Sequence, residues 1–479
     1  MQWLGVALLL VVAAGIIGTG LPAAVVLIAA ATLGAAAGMA NDAVSLDLLG
    51  ALPARLINLF ENDLLQALPL YVTMGLLLDR LPVADALYRT STALMQRSPA
   101  GPLVSGVVLG TLLGPMNGSV GASVLGLSRV ISPRLTREGV PAATRDALIA
   151  VASTLGVLVP PSLVLILLSD AMLSAHTIAV TQSGRTDRVI NTQDIFHAAL
   201  VPAGLFLTFC LVLAWIAGRR TERVRDPKSL TLKQGVLATV SLATLLLLLG
   251  GVALGYFFAV EAAAMGAFAL LVAGLVSGRL DAKAMRALLS DALAITGALF
   301  ALLIAATTFT LVLRLLGTDR LVNGLVGAIP GGDFAAVAVV LAVIGLCAFV
   351  LDAFEIIFVI VPIVIPPLLV RVADARWVSV LVLLTLQSSF LLPPFGYALM
   401  MVRGAAIKPA RFGAFVAALV PFLLAQWLVL GLVLAMPGLV HLGETAGDAS
   451  RAPEKTLSTE EAVKRLNEMV PLPPPIDGD

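Results

Sequence analysis

The chain has 479 residues, of which 59% are hydrophobic and 12% charged, with a formal net charge of +1. Soluble domains carry roughly 25% charge, so this much apolar surface calls for lipid, and the near-neutral balance excludes the basic face of a nucleic-acid binder. Cys210 and Cys347 lie in apolar runs and His176, His197 and His441 are scattered, which leaves no disulfide framework and no metal spacing.

Residues 1–18 lack both a basic leading stretch and a small-residue cleavage site, so they predict a retained membrane helix. A crossing takes about 20 apolar residues. On that basis single crossings are predicted over 2–19, 21–39, 63–79, 196–218, 232–256, 258–278, 294–317 and 413–436. Two more crossings are interrupted: 142–174 at Pro160-Pro161 and 376–407 at Pro393-Pro394. Segments 101–134 and 333–371 exceed one crossing and turn polar or acidic halfway, which predicts hairpins that enter the membrane and return. Amphipathic pieces at 45–61, 84–97, 281–291 and 320–330 are expected at the interface. The tail, 437–479, is polar and ends Pro471-Leu472-Pro473-Pro474-Pro475. Ser458 with Glu461 reads there as the cap of one short helix; the rest reads as disordered.

The two Pro-Pro breaks stand 233 residues apart, and a shift of 233 lays the element order of the first half over the second. Residues 1–231 and 232–436 are therefore read as two repeats. Lys and Arg accumulate on the cytoplasmic side. The first hairpin's mouth carries Arg89, Arg97, Arg134, Arg137 and Arg145, and the link after 196–218 carries Arg219, Arg220, Arg223, Arg225, Lys228 and Lys233. Threading from these anchors puts both termini in the periplasm and gives each half five crossings. An odd number inverts one half relative to the other. The predicted fold is an all-α polytopic membrane protein, an inverted repeat of five plus five crossings with two re-entrant hairpins and two broken helices. Broken helices in inverted repeats point to a transporter's binding site.

Four stretches carry the chemistry. The first hairpin tip reads Gly114-Pro115-Met116-Asn117-Gly118-Ser119-Val120-Gly121-Ala122-Ser123. Its freed backbone groups must be buried in protein or face a ligand. Carbonyls with Asn and Ser oxygens suit a hard cation such as sodium, and a half-helix N-terminus suits a carboxylate; tight packing of small residues is the plainer alternative. The break Ala152-Ser153-Thr154-Leu155-Gly156-Val157-Leu158-Val159-Pro160-Pro161-Ser162 has a repeat mate in Gln387-Ser388-Ser389-Phe390-Leu391-Leu392-Pro393-Pro394-Phe395-Gly396-Tyr397. A proline kink alone would explain either break, but two such breaks beside hydroxyls and glycine favour binding. Substrate contacts are assigned to Asn117, Ser119, Ser162, Gln387, Ser388 and Gly396. The second tip, Leu351-Asp352-Ala353-Phe354-Glu355, puts two acids in the most apolar part of the chain, where an acid costs about 2.5–3.5 kcal/mol to insert. Asp352 is read as a helix cap, with cation ligation or pairing to a base such as Arg314 as alternatives. Glu355 is read equally as a salt-bridge partner or a coupling group. Asp170, Glu261 and Arg314 are expected to snorkel from span ends. No nucleotide-binding or hydrolase motif occurs, so the chain is read as no enzyme and its work must come from an ion gradient.

In these residues the chain resembles the large membrane subunit of TRAP (tripartite ATP-independent periplasmic) transporters, over nearly its whole length to about residue 436. The resemblance rests on Leu68-Pro69-Leu70-Tyr71, the tip at 114–123, Ala152-Ser153-Thr154-Leu155-Gly156 running into Val159-Pro160-Pro161-Ser162, and Leu392-Pro393-Pro394-Phe395-Gly396. Leu351–Glu355 and Pro394–Leu399 followed by Arg403-Gly404 are similar to the mannitol/chloroaromatic branch, which includes 2-oxo-acid carriers. The resemblance implies a small four-helix membrane subunit, a periplasmic solute-binding protein that delivers a small organic acid, Na+ as coupling ion, and an elevator motion in a bacterial inner membrane. It also implies two sodium sites, each between a hairpin tip and the neighbouring broken helix. One would use Asn117, Gly118 and the loop Gly156 to Val159; the other would use Asp352 and the loop Ser389 to Leu392. The chain departs from the commoner pattern at the first tip, where many members have Ser-Gly-Ser followed by an acid. It departs again at Leu392, where many have a threonine. A stand-alone divalent-anion symporter and a non-transporting membrane scaffold are the rival readings.

Overall fold

The computed structural model describes residues 2–442 apart from 43, 46, 48–49, 186–187, 220–230, 395 and 407. Most of the basic link after residue 219 and the tail from 443, with its Ser458–Glu461 cap, lie outside the described residues. In chain order the helices are α1 (Gln2–Thr19), α2 (Ala23–Ala40), α3 (Leu52–Phe60), α4 (Asp63–Arg80), α5 (Val83–Leu94), α6 (Gly101–Leu113), α7 (Val120–Arg137), α8 (Ala142–Leu158), α9 (Leu163–Ser183) and α10 (Thr192–Arg219). The second half continues with α11 (Leu232–Ala253), α12 (Ala259–Val276), α13 (Ala282–Leu315), α14 (Thr318–Gly327) and α15 (Asp333–Cys347). A turn at Ala353–Glu355 and a π segment at Ile356–Ile360 then lead into α16 (Val361–Arg371), followed by α17 (Ala375–Ser389), α18 (Tyr397–Ala405) and α19 (Phe412–Ala435). Among the described residues nine helices are long and apolar enough to cross a membrane, or ten if α4 and α5, bent by 62° at Leu81-Pro82, count as one.

Helices that are apolar on every face pack inside a bundle or against lipid, and here burial sorts them. In α8 every residue from Arg145 to Leu158 is buried, and α17 is buried from Trp377 to Ser389. The helices that lead into the two Pro-Pro breaks therefore form the centre. Around them, α6 and α7 fold onto α8, α9 packs on α16, and α19 lies against α8, α10 and α17. At the rim α1, α2 and α13 keep large apolar side chains outward: Trp3, Leu10, Leu33 and Leu293 are all more than 60% exposed. α8 and α17 start 233 residues apart, and so do α7 and the turn that begins at Ala353.

Several expectations need correction. The amphipathic piece at 281–291 and the crossing at 294–317 are one 34-residue helix, α13; no Gly or Pro separates them, so a change of face does not break the helix. The 233-residue register ends at the second Pro-Pro break, because α9 runs 21 residues and α18 only 9. The tail's first residues are ordered: Pro437–Val440 form a 3-10 turn, and His441 Nε2 lies 2.9 Å from Asp374 Oδ2. Asp170 and Glu261 do not snorkel. Asn62 donates to Asp170 Oδ1 at 2.8 Å, and Glu261 accepts the Phe258 N–H at 2.9 Å as a cap of α12. Arg145, expected at the cytoplasmic rim, is 6% exposed, with Nε donating to Asp146 Oδ1 at 2.8 Å and Nη2 donating to Lys408 O at 3.1 Å. Asp146 in turn accepts the Ala410 N–H at 3.1 Å, so this buried pair fastens the α18–α19 link to the start of α8.

Candidate functional site

The first hairpin reaches its tip through Gly114–Met116, a 3-10 turn, and returns through Gly118, whose φ of +67° puts it in the left-handed region that glycine enters freely. Ser119 caps the returning helix α7, its Oγ accepting from Ala122 N at 3.1 Å. Close backbone approach holds the tip in place. A Cβ on Gly114 would stand 2.7 Å from Gly156 Cα, and one on Gly75 of α4 would stand 2.7 Å from Asn117 O. Only glycine fits at these contacts.

Asn117 is 6% exposed. Its Nδ2 donates to Ser123 Oγ at 3.2 Å, and Ser123 Oγ donates to Ser119 O at 3.2 Å. With its amide nitrogen held this way, Asn117 Oδ1 is buried with no partner. Leaving a buried acceptor unsatisfied costs about 1–3 kcal/mol. Beside the tip lies a cavity of about 10 Å³ lined by Gly114, Gly118, Ser119, Ser153, Gly156 and Ser162, among others. That is close to the smallest void that admits a water, roughly 10–15 Å³. Ser123 and the apolar Pro115, Val120, Val157, Leu163 and Val164 complete the lining, so serine oxygens and aliphatic groups share it. The structure thus places Gly118, Ser119, Gly156 and Ser162 on one cavity wall, with Asn117 tied to it through Ser123. Val157 lines the wall where Val159 was expected. Ser162 Oγ donates to Val157 O at 2.8 Å and accepts from Leu165 N at 3.1 Å, so it closes the break and caps α9 together.

The second half uses its polar atoms differently. Asp352 Oδ1 accepts the Ala353 N–H at 2.7 Å, and Glu355 Oε2 accepts the Asp352 N–H at 3.0 Å. The two acids form a reciprocal cap on the returning limb, and Glu355 engages backbone where a salt bridge was one expectation. Ser388 Oγ donates to Leu384 O at 2.9 Å and Ser389 Oγ to Leu386 O at 2.6 Å, both turned back onto α17. Leu392 contributes its carbonyl to the turn, accepting the Gly396 N–H at 2.8 Å. A Cβ on Gly396 would stand 2.7 Å from Phe390 O.

The halves meet at Thr154 and Gln387, both 0% exposed. Gln387 Nε2 donates to Thr154 Oγ1 at 3.4 Å, across the same 233-residue spacing. Gln387 Oε1 is left without a partner. A second crossing contact comes from Tyr397, a residue missing from the sequence-based site. Its Oη occupies the space beside Gly121, 2.6 Å from where a Cβ would sit. Gly75 was missed as well. A glycine inside an apolar helix hints at close approach, but nothing local tells which segment approaches.

A family model described as "Tripartite ATP-independent periplasmic transporter, DctM component" matches residues 4–439. The chain is 26% identical over 203 residues to the C4-dicarboxylate TRAP transporter large permease protein DctM of Rhodobacter capsulatus, a match over 42% of this chain and 46% of that protein. It is 23% identical over 374 residues to the C4-dicarboxylate TRAP transporter large permease protein DctM of Pseudomonas aeruginosa, covering 77% of this chain and 83% of that one. Among solved structures the YdaH transporter of Alcanivorax borkumensis superposes with a TM-score of 0.59 at 16% identity, over 82% of this chain and 88% of that chain. At that identity the likeness is one of fold.

Proposed function

Because the chain belongs to the DctM-component family of tripartite ATP-independent periplasmic transporters, and is a permease and not an enzyme, we propose that it is the large transmembrane subunit of a sodium-coupled importer of a small organic acid. In this reading a small four-helix subunit completes the membrane assembly and a periplasmic binding protein delivers the substrate. Both termini face the periplasm, as the Lys and Arg placement implies. The relatives' names support the substrate class, with two of them C4-dicarboxylate permeases.

The observation that supports sodium coupling is Asn117 Oδ1, buried and unpaired, on a tip whose small void is lined by the serines Ser119, Ser123, Ser153 and Ser162 together with glycine and aliphatic residues. Asn117, Gly118, Gly156 and Ser162 would hold the ion there. The carboxylate belongs with the first half as well. Anions are stabilised at helix N-termini, and α7 begins on a neutral cap, Ser119, while the equivalent turn of the second half begins on the carboxylate of Asp352.

The test is uptake by the three-part system in vesicles with a labelled C4-dicarboxylate as first probe. Uptake should follow an inward sodium gradient and persist without ATP. Equal uptake with potassium replacing sodium on both sides refutes the coupling. Uptake by this chain alone, without either partner, refutes the three-part assembly in favour of a self-sufficient symporter.

A further inference from the structure

We infer that the groove between α1, α14 and the second hairpin is a binding site for one anionic phospholipid, with its phosphate at the N-terminal end of α1 and an acyl chain along the helices. Two adjoining cavities carry the inference. The first, about 540 Å³, is polar and is lined by Gln2, Trp3, Arg314, Gly317, Asp319 and Arg320. The second, about 600 Å³, is lined almost wholly by aliphatic side chains; the same two helices supply Val6, Leu9 and Leu10, then Val322, Leu325 and Val326. The helices touch between the two cavities, where the Thr318 hydroxyl is pressed against Gly5.

The polar cavity is built for an anion. Arg314 leaves the apolar helix α13 within its last turn, and among the described residues no hydrogen bond or ion pair engages its guanidinium. Asp319, the carboxylate in the cavity lining, spends one oxygen on the Arg320 N–H at 2.9 Å. Arg320 lines the same cavity, so two guanidinium groups face one carboxylate. Trp3, 68% exposed in the first turn of α1, marks the headgroup level where tryptophan gathers.

The apolar cavity selects the remainder of the ligand. An apolar void stays dry, so water does not fill it. A helix of roughly 10 Å diameter rising 1.5 Å per residue would fit only about five residues into 600 Å³, which excludes a partner's spanning helix. A hydrocarbon chain fits, and Leu10 and Leu346, 68% and 70% exposed, open the cavity toward the bilayer. Because Leu346, Cys347 and Val359 of the second hairpin form the far wall, the bound chain would lie between that hairpin and the N-terminal helices.

The experiment uses the purified full chain, stripped of lipid in detergent, titrated with phosphatidylglycerol, phosphatidylcholine or glycerol 3-phosphate and read by native mass spectrometry and melting temperature. It needs no transport, so it succeeds or fails independently of the sodium-coupled reading. One arginine at a membrane surface favours an anionic headgroup by about fivefold. Phosphatidylglycerol should therefore bind at least fivefold more tightly than phosphatidylcholine, and Arg314→Gln should remove most of that preference. Val343→Trp, which fills the apolar cavity, should weaken both lipids alike. Glycerol 3-phosphate, which has the phosphate without the chains, should not raise the melting temperature at matched concentration. If Arg314→Gln accumulates poorly, the exposed Arg320→Gln reads the same preference. Equal binding of the two lipids by the wild type, an unchanged preference in both arginine variants, or full stabilisation by glycerol 3-phosphate would overturn the site.

Discussion

Asn117→Leu is the sharpest test of the first hairpin tip. The substitution keeps the side-chain volume, removes Oδ1, and removes the Nδ2 bond to Ser123 at 3.2 Å. If Oδ1 ligates the coupling ion, its loss removes one buried polar partner, about 1–3 kcal/mol, which is a weakening of sodium binding by roughly 5- to 150-fold. The relevant assay is the sodium concentration that gives half-maximal uptake, with membrane level measured in parallel. The expected result is a normal level and a sodium requirement raised at least about fivefold. Leucine also relieves the cost of an unsatisfied oxygen, so the purified variant should be as stable as the wild type without sodium and gain less from adding it. Ser123→Ala provides the control. It removes the group that orients the amide but leaves Oδ1 in place, so its sodium requirement should rise less. Wild-type sodium dependence in Asn117→Leu would refute the reasoning.

Further substitutions test the packing that holds the site, and one labelling experiment tests the topology. Gly156→Ala should lower the melting temperature, because its Cβ would run into the Gly114 backbone, and overpacking of this kind costs about 1–3 kcal/mol; an unchanged temperature would mean the hairpin can lift off α8. Asp146→Ala leaves the buried Arg145 guanidinium without its ion-pair partner, a loss of about 3–5 kcal/mol that thermal unfolding should register, with Asp146→Asn milder. Ser458→Cys should react with a membrane-impermeant thiol reagent applied from the periplasmic side, and labelling only from the cytoplasmic side would overturn the charge threading.

How much of this was legible in the sequence depends on whether the signal is local. The Pro-Pro breaks, the hairpin limbs and the Asp352 cap all follow from residues within a few positions of one another, and the structure has them. The fusion of 281–291 with 294–317 was legible in principle, because Asp291-Ala292-Leu293-Ala294 contains no helix breaker; the change from amphipathic to uniformly apolar was read as a boundary when it marks where the helix enters lipid. What the sequence could not show is which segments meet. Gly75 against Asn117, Tyr397 against Gly121 and Thr154 against Gln387 are contacts between distant parts of the chain. Arg145 shows the opposite trap. A basic residue at a predicted span end reads as a topology marker, yet it is buried against Asp146.

The two halves share a backbone plan and divide the chemistry, and the division follows from their caps. Ser119 and Asp352 stand at the same place in the two repeats, capping the returning limb of a hairpin, on the 233-residue spacing. A helix N-terminus carries roughly half a positive charge. At Asp352 a carboxylate of the chain itself answers that charge, with Glu355 closing the box, so little field is left there for an incoming anion. At Ser119 a hydroxyl satisfies one N–H and leaves the field in place. The unpaired Asn117 oxygen lies two residues away, where a bound cation would add to that field. A cation and a substrate carboxylate at the first tip would therefore stabilise each other, while the second tip, already neutralised, has less to gain from either. Mutual stabilisation of this kind is what symport requires: each ligand binds more tightly when the other is present.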